Sequence, residues 1–382
     1  MDRSPDPATP AINRSQEWGT RLIFLAAGVG MAAWAPLVPF AKARAGIDDG
    51  MLGMLLLCLG VGSILAMPLA GALSSKFGCR AVITVSTLIA VSALPFLAAL
   101  STLHGLMAGL LIFGMGLGSL DVSMNLQAVM VEKAKGKAMM SGFHGMFSLG
   151  GILGAGGIAG LLALGISPLS AAAGVAVLVM AALIGSFSSL LSFAPGGNGP
   201  LFAMPRGVVL LIGAVCFVIF LTEGAVLDWS AVFLTSHHGM PKEKAGLGYA
   251  AFALTMTAFR FAGDWMVERL GGFKVVLLGG AAAAAGVGLT LIPSWPVGLL
   301  GYALVGTGCS NIVPVMFTAA GRQTAMPANV AIPAVTTLGY AGILAGPALI
   351  GFISHLSSLP AAFVMLTILL VAIAFSARFL RL

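Results

Sequence analysis

The feature that leaves this chain least freedom is a succession of apolar runs, each long enough to cross a bilayer. A spanning helix needs roughly 20 predominantly apolar residues. To within a few residues at each end, such runs cover 18–41, 50–75, 81–101, 103–131, 139–165, 167–193, 207–236, 244–267, 274–293, 296–320, 328–354 and 357–378. The expectation is an all-α polytopic membrane protein with twelve transmembrane helices. Composition agrees: 8% of the 382 residues are charged, where soluble domains average about 25%. The mean hydropathy is +1.06.

The connections are short, and none is large enough for a soluble output region, which argues against a non-transporting membrane sensor. The longest internal one, 194–206, is rich in Gly and Pro and reads as a cytoplasmic linker. It separates an expected N-terminal six-helix half, 18–193, from a C-terminal half, 207–382. Residues 1–17 read as a polar cytoplasmic tail, and no cleavable signal peptide is expected. With both termini inside, only Lys42, Arg44, Lys242 and Lys244 of the 19 Lys and Arg residues fall outside, and Arg260 falls within a span. The remaining fourteen are cytoplasmic, as the positive-inside rule requires of a cell (inner) membrane protein. The net charge of +7 is therefore a topology signal, and no nucleic acid partner is expected. Cys58, Cys79, Cys216 and Cys309 have neither disulfide nor metal-ligand spacing. There is no Walker A sequence, so nothing suggests ATP as the energy source. No cofactor or metal is expected; His237 and His238 are adjacent, diverge on a helix and lack a third ligand nearby.

The two halves repeat each other. Gly151–Gly160 reads GILGAGGIAG and Gly342–Gly351 reads GILAGPALIG, 191 residues apart. Gly114-x-Gly116 recurs as Gly306-x-Gly308, and Ala70-Gly71 as Ala262-Gly263, both 192 residues apart. Three matches at nearly one offset point to duplication. Two six-helix halves related by an axis along the membrane normal describe the major facilitator architecture, with its substrate site between the halves near the midplane.

The loop Gly71-Ala-Leu-Ser-Ser-Lys-Phe-Gly-Cys-Arg80 resembles the major facilitator signature between helices two and three. Gly71, Leu73, Gly78 and Arg80 fit, Lys76 stands for the usual Arg, and Ser75 replaces the signature Asp. The second-half version runs from Gly263-Asp264-Trp265 to Gly271. Span four, with Gly116, Asp121 and Asn125, is similar to the fucose permease branch, as is Ser310-x-x-x-Pro314-x-x-Phe317 in span ten. That resemblance implies that Asp121 carries a proton. His144 falls where the branch has Gln, and Ala35 where it has a second carboxylate. MSGFHGMFSLGG and EGAVLDWSAVFL also resemble a group of uncharacterised bacterial inner-membrane permeases. The resemblance to the superfamily implies gating by Gly71, Lys76, Gly78 and Arg80, small-molecule and proton partners, and a monomer in the lipid bilayer.

The residues give their own reading of the site. Asp121 lies well inside span four, where a carboxylate costs on the order of 2.5–3.5 kcal/mol. Asn125 follows at i+4 and shares its face, and Gly114 and Gly118 let a neighbouring helix approach closely. Apolar surroundings disfavour a charged carboxyl, so Asp121 is expected either to hold and release a proton or to bond a neighbouring helix. Glu223 and His144 are the other proton-coupling candidates. Asn125, Asp228, Trp229, Asn311 and Trp34 are candidate substrate contacts, the two tryptophans being equally readable as interfacial anchors. Arg260 and Asp264, at i and i+4, are expected to pair in the inward gate, and Glu132 to act similarly or to be solvated. Asp48-Asp49-Gly50 reads as a helix start.

The expected function is secondary active transport by alternating access, as proton-coupled symport of a small polar solute, sugar-like or related. A proton-driven exporter of amphipathic compounds is the alternative, although span five lacks the Gly-Pro pair of the exporter signature. A lipid-modifying enzyme would need a nucleophile and base, or metal ligands, at one depth, which this chain does not offer.

Overall fold

The computed structural model describes residues 12–194 and 204–380. Most of the expected tail and most of the expected linker lie outside the described residues. The helices are α1 (Arg14–Ala32), α2 (Val38–Ala45), α3 (Asp49–Ala99), α4 (Leu103–Lys135), α5 (Met140–Ala163), α6 (Pro168–Ser186), α7 (Val208–His238), α8 (Leu247–Leu270), α9 (Gly272–Thr290), α10 (Trp295–Cys309), α11 (Ile312–Arg322), α12 (Ala328–Leu356) and α13 (Leu359–Ser376). Among the described residues there is no strand.

The helix starts follow local chemistry. α1 begins at Arg14, inside the stretch expected as tail. Asn13 and Gln16 form a reciprocal capping box there: Asn13 Oδ1 accepts from Ser15 N–H and Gln16 Oε1 from Asn13 N–H. Asp48 caps α3 by accepting the Met51 N–H at 2.8 Å, as its place in the sequence predicts.

Ten stretches among the described residues are long and apolar enough to cross a membrane, where the sequence predicts twelve. Two elements account for the difference. The 51 residues of α3 would run roughly 75 Å if straight, more than twice the apolar core of a bilayer. They do not run straight: Gly78 has φ 83° and ψ 158°, a conformation outside the helix, and divides α3 into two arms. A side chain there would also strike the Ser192 carbonyl, 2.2 Å from an ideal Cβ. The other element is α8, a 24-residue helix that carries Arg260, Asp264, Glu268 and Arg269. α3 covers two of the expected runs, 50–75 and 81–101, and α8 covers most of a third, 244–267.

Small residues set the tightest crossings, and the crossings repeat. A Cβ on Gly114 of α4 would lie 2.0 Å from the Leu59 carbonyl oxygen of α3, and one on Gly306 of α10 would lie 2.2 Å from that of Phe252 in α8. In the same way Gly150 of α5 faces Leu25 of α1, and Gly342 of α12 faces Phe217 of α7, each at 2.2 Å from a carbonyl oxygen. The two members of each pair are 192 residues apart, the offset found in the sequence. With no aqueous driving force between helices in lipid, such backbone approach is what holds neighbours together. Gly150→Val should therefore lower the melting temperature of the detergent-purified protein by the equivalent of about 1–3 kcal/mol, the usual cost of overpacking. Gly151→Val is the control, since its Cβ would meet only Ala32, at 3.9 Å. Equal effects of the two substitutions would contradict the packing account.

Candidate functional site

Three polar side chains form a chain between α4 and α5. Asp121 is half-buried and Asn125 fully buried. The Asn125 amide donates to the Asp121 side chain at 3.3 Å and to the Asp121 backbone carbonyl at 2.9 Å, the i, i+4 geometry of one helix face. Its Oδ1 lies 3.2 Å from Nε2 of His144. An amide oxygen only accepts, so in this arrangement the imidazole donates from Nε2. Phe24 of α1 and Phe317 of α11 flank the ring, with centroids 5.4 and 5.6 Å away. Asp121 is also within electrostatic reach of Tyr340 on α12.

A second polar group faces it from α7, α8 and α10. Arg260 is buried, and its Nη2 stands 3.6 Å from Oε1 of Glu223. Its Nη1 donates to Ser148 Oγ of α5 at 2.6 Å, and its Nε to the Ser310 carbonyl at 3.3 Å. That carbonyl is available because α10 stops at Cys309 and α11 starts at Ile312, leaving a break in the helical ladder. Ser148 Oγ in turn donates to the backbone carbonyl of His144. A continuous path thus runs from Asp121 through Asn125, His144, Ser148 and Arg260 to Glu223. Asn311 lies at the same break, its amide donating to the Phe259 carbonyl and Ser310 Oγ, so it ties α10 to α8 and does not line open space.

The expected Arg260–Asp264 ion pair does not form. Arg260 extends toward the middle of the molecule, while Asp264 extends to the start of α5 and accepts the Gly142 N–H at 3.0 Å. That helix start has a second carboxylate. Glu132, at the end of α4, accepts the N–H groups of Met139 and Met140, both at 2.9 Å, and the Thr318 hydroxyl of α11 at 2.6 Å. A helix N-terminus offers unpaired N–H donors and a favourable dipole to both acids. Glu132 is therefore neither solvated nor paired with Lys133, Lys135 or Lys137. Beside these contacts is a cavity of about 110 Å³ whose lining includes Glu132, Ser141, Asp264, Thr318 and Arg322.

The signature loop divides in two. A Cβ on Gly71 would lie 2.5 Å from the Asn329 carbonyl oxygen, so α3 crosses α12 there. Arg80 does not reach across to α12: its Nε donates to the Leu190 carbonyl and its Nη2 to that of Ser188, beyond the end of α6. The bend at Gly78 aims it there. Lys76 is exposed, its ammonium 5.1 Å from the Phe77 ring.

One expected substrate contact is packed away. Trp34 is 4% exposed, in an apolar cluster with Leu37 and Ile158. It follows the end of α1 at Ala32, and the turn Ala35–Leu37 folds it inward. Trp229 is half-buried and rests against Gly351 of α12. Asp228 is exposed. Sequence reasoning missed Ser148, Thr318 and Tyr340. Ser148 had a signal, its i+4 spacing from His144; Thr318 and Tyr340 are brought in by elements remote in sequence.

The Major Facilitator Superfamily profile matches residues 21–331. An uncharacterized MFS-type transporter of Yersinia pestis is 54% identical over 366 residues, 95% of each chain. The membrane protein MosC of Rhizobium meliloti is 30% identical, over 87% of this chain and 82% of its own length. Among solved structures, a variant of the E. coli fucose:proton symporter FucP superimposes with a TM-score of 0.79 at 17% identity, over 98% of this chain and all of its own. The human organic anion transporter MFSD10 gives 0.74 at 16% identity, over 97% and 100%.

Proposed function

Because the chain belongs to the Major Facilitator Superfamily, we propose that it is a proton-coupled symporter of a small polar solute, working by alternating access in the cell inner membrane. Two six-helix halves, 18–193 and 207–382, rock about the polar path between Asp121 and Glu223. That path carries the reading. It supports the reading because it runs from Asp121, in the proposed N-terminal half, to Glu223, in the proposed C-terminal half, the arrangement a carrier needs if a proton and a solute are to move together.

Asp121 takes the proton. Its neighbour Asn125 offers a donor that suits a carboxylate, and the opposite oxygen of that amide is held by His144. Loss of the buried charge lets the loaded halves close over the site, because a neutral carboxyl is far less costly to bury than a carboxylate. The contacts of Glu132 and Asp264 lie near Lys133, Lys135, Lys137 and Arg322, the end that the positive-inside rule assigns to the cytoplasm. They support reading this structure as closed inward, with both termini cytoplasmic. Transport toward the cytoplasm requires these contacts to open.

The test uses sealed vesicles containing the purified protein. A solute that raises its melting temperature should be concentrated inside when the outside is made acidic, and a protonophore should collapse the accumulation. Uptake indifferent to the pH gradient would refute the proton coupling.

A further inference from the structure

The pair of Arg260 and Glu223 is buried yet incompletely satisfied. A guanidinium carries five N–H donors, and only two of those on Arg260 have an acceptor, Ser148 Oγ and the Ser310 carbonyl. The residue is 6% exposed. At 3.6 Å its contact with Glu223 is an ion pair without a hydrogen bond, and among the described residues the buried Oε1 of Glu223 has no hydrogen-bond donor. Buried polar groups are almost always hydrogen-bonded, so the open donors of this buried guanidinium are available to a ligand. The site is also reachable: the Glu223 side chain is 18% exposed. Tyr249, within electrostatic reach of both Glu223 and Arg260, is 40% exposed.

We propose that Arg260 anchors a carboxylate of the transported solute, and that Glu223 is the internal counter-ion it displaces. The assignment rests on the transport reading and deepens it by naming the substrate class, a small organic carboxylate. The open donors lie at Nη1 and Nη2, the edge of the fork that takes a carboxylate bidentately. Ser148 and Ser310 hold the remainder of the guanidinium, so its plane is set before the ligand arrives. Once Glu223 moves aside, a carboxylate gives the guanidinium a new counter-ion, which a neutral hydroxyl does not. At 3.6 Å Glu223 makes no hydrogen bond to Arg260, so its displacement breaks none.

The test needs no knowledge of the physiological solute. The melting temperature of the purified protein is followed at constant ionic strength against matched pairs: acetate and acetamide, benzoate and benzyl alcohol, gluconate and sorbitol. In Glu223→Gln the competitor is neutral, so the carboxylate of each pair should act at concentrations at least tenfold lower than in the wild type. The uncharged member should not act. Adding Arg260→Gln should abolish the response. Glu223→Asp, which shortens the competing side chain, serves if the Gln variant does not fold. A response equal for the two members of each pair, or one that survives loss of Arg260, overturns the assignment, as does no response in the competitor variants. Proton-coupled uptake of a neutral polyol together with any of these results would leave the transport reading standing. Absence of any solute-coupled proton movement would remove both.

Discussion

Vesicles carrying Asp121→Asn are expected to exchange solute across the membrane but not to concentrate it. The substitution keeps the shape of the side chain and keeps an oxygen that can accept from the Asn125 amide, now at 3.3 Å. It removes the one thing a carrier of protons needs there, a group that gains and loses charge. An Asn at this position mimics the permanently loaded form, so the halves can still close and reopen with solute bound. The empty return, which needs a charged and then recharged acid, is no longer tied to the gradient. Accumulation under an imposed acid-outside gradient should fall to that of vesicles without protein, while exchange of labelled for unlabelled solute continues. Accumulation at the wild-type level would rule Asp121 out as the carrier. Loss of exchange as well would point to Asp121 as a structural bond to its neighbours.

The second large effect is expected at the inward closure. Thr318→Val removes the hydrogen bond from α11 to Glu132, and Asp264→Asn removes the charge from the bond to Gly142. Both bonds cross between the proposed halves. Hydrogen bonds to charged groups contribute about 1.5–3 kcal/mol each. Loss of that much from the closed state by Thr318→Val alone shifts its ratio to the open state by roughly tenfold to hundredfold, and the double variant shifts it further. The measurement is the rate at which a thiol reagent modifies Ala138→Cys, in the lining of the cavity beside these contacts. The double variant should react faster than the parent in proportion to that shift, and saturating solute should alter the difference. Unchanged reactivity would mean that these bonds do not hold the closed state. The native cysteines interfere little, because Cys79, Cys216 and Cys309 are buried and Cys58 alone is partly accessible.

What could be read from the sequence was whatever depends on a single helix or on an internal repeat. Asp121 and Asn125 share a face because they are four residues apart, and the bond between them follows. Gly114 and Gly306 mark crossings because lipid-embedded helices meet at small residues, and the constant offset shows in the packing as well as in the letters. What depends on which helix faces which was hidden. Arg260 and Asp264 satisfy the i, i+4 rule for an ion pair, yet each finds its partners elsewhere. For Asp264 this is the Gly142 N–H in the first turn of α5, and for Arg260 it is Glu223 of α7, Ser148 of α5 and the carbonyl at the break between α10 and α11. Glu132 sits in a run of lysines and reads as solvated until α5 and α11 are brought over it. Arg80 matches the signature in position, but the bend at Gly78 turns it toward the residues after α6. Trp34 illustrates the same limit: an aromatic near the end of a span reads as an anchor, while the turn at Ala35–Leu37 packs it into the interior.

The claim at the centre of this account is that solute entry and proton entry are one event, carried by Asp121. The most direct measurement is of proton movement with no gradient imposed. Sealed vesicles containing the protein are suspended in weakly buffered medium with a pH indicator outside, and a solute that raises the melting temperature is added. The account predicts that the medium becomes more alkaline as solute enters with protons in the wild type, and that Asp121→Asn shows no such change while still exchanging solute. Equal alkalinisation by both proteins, or solute entry by the wild type with no change in external pH, would contradict it.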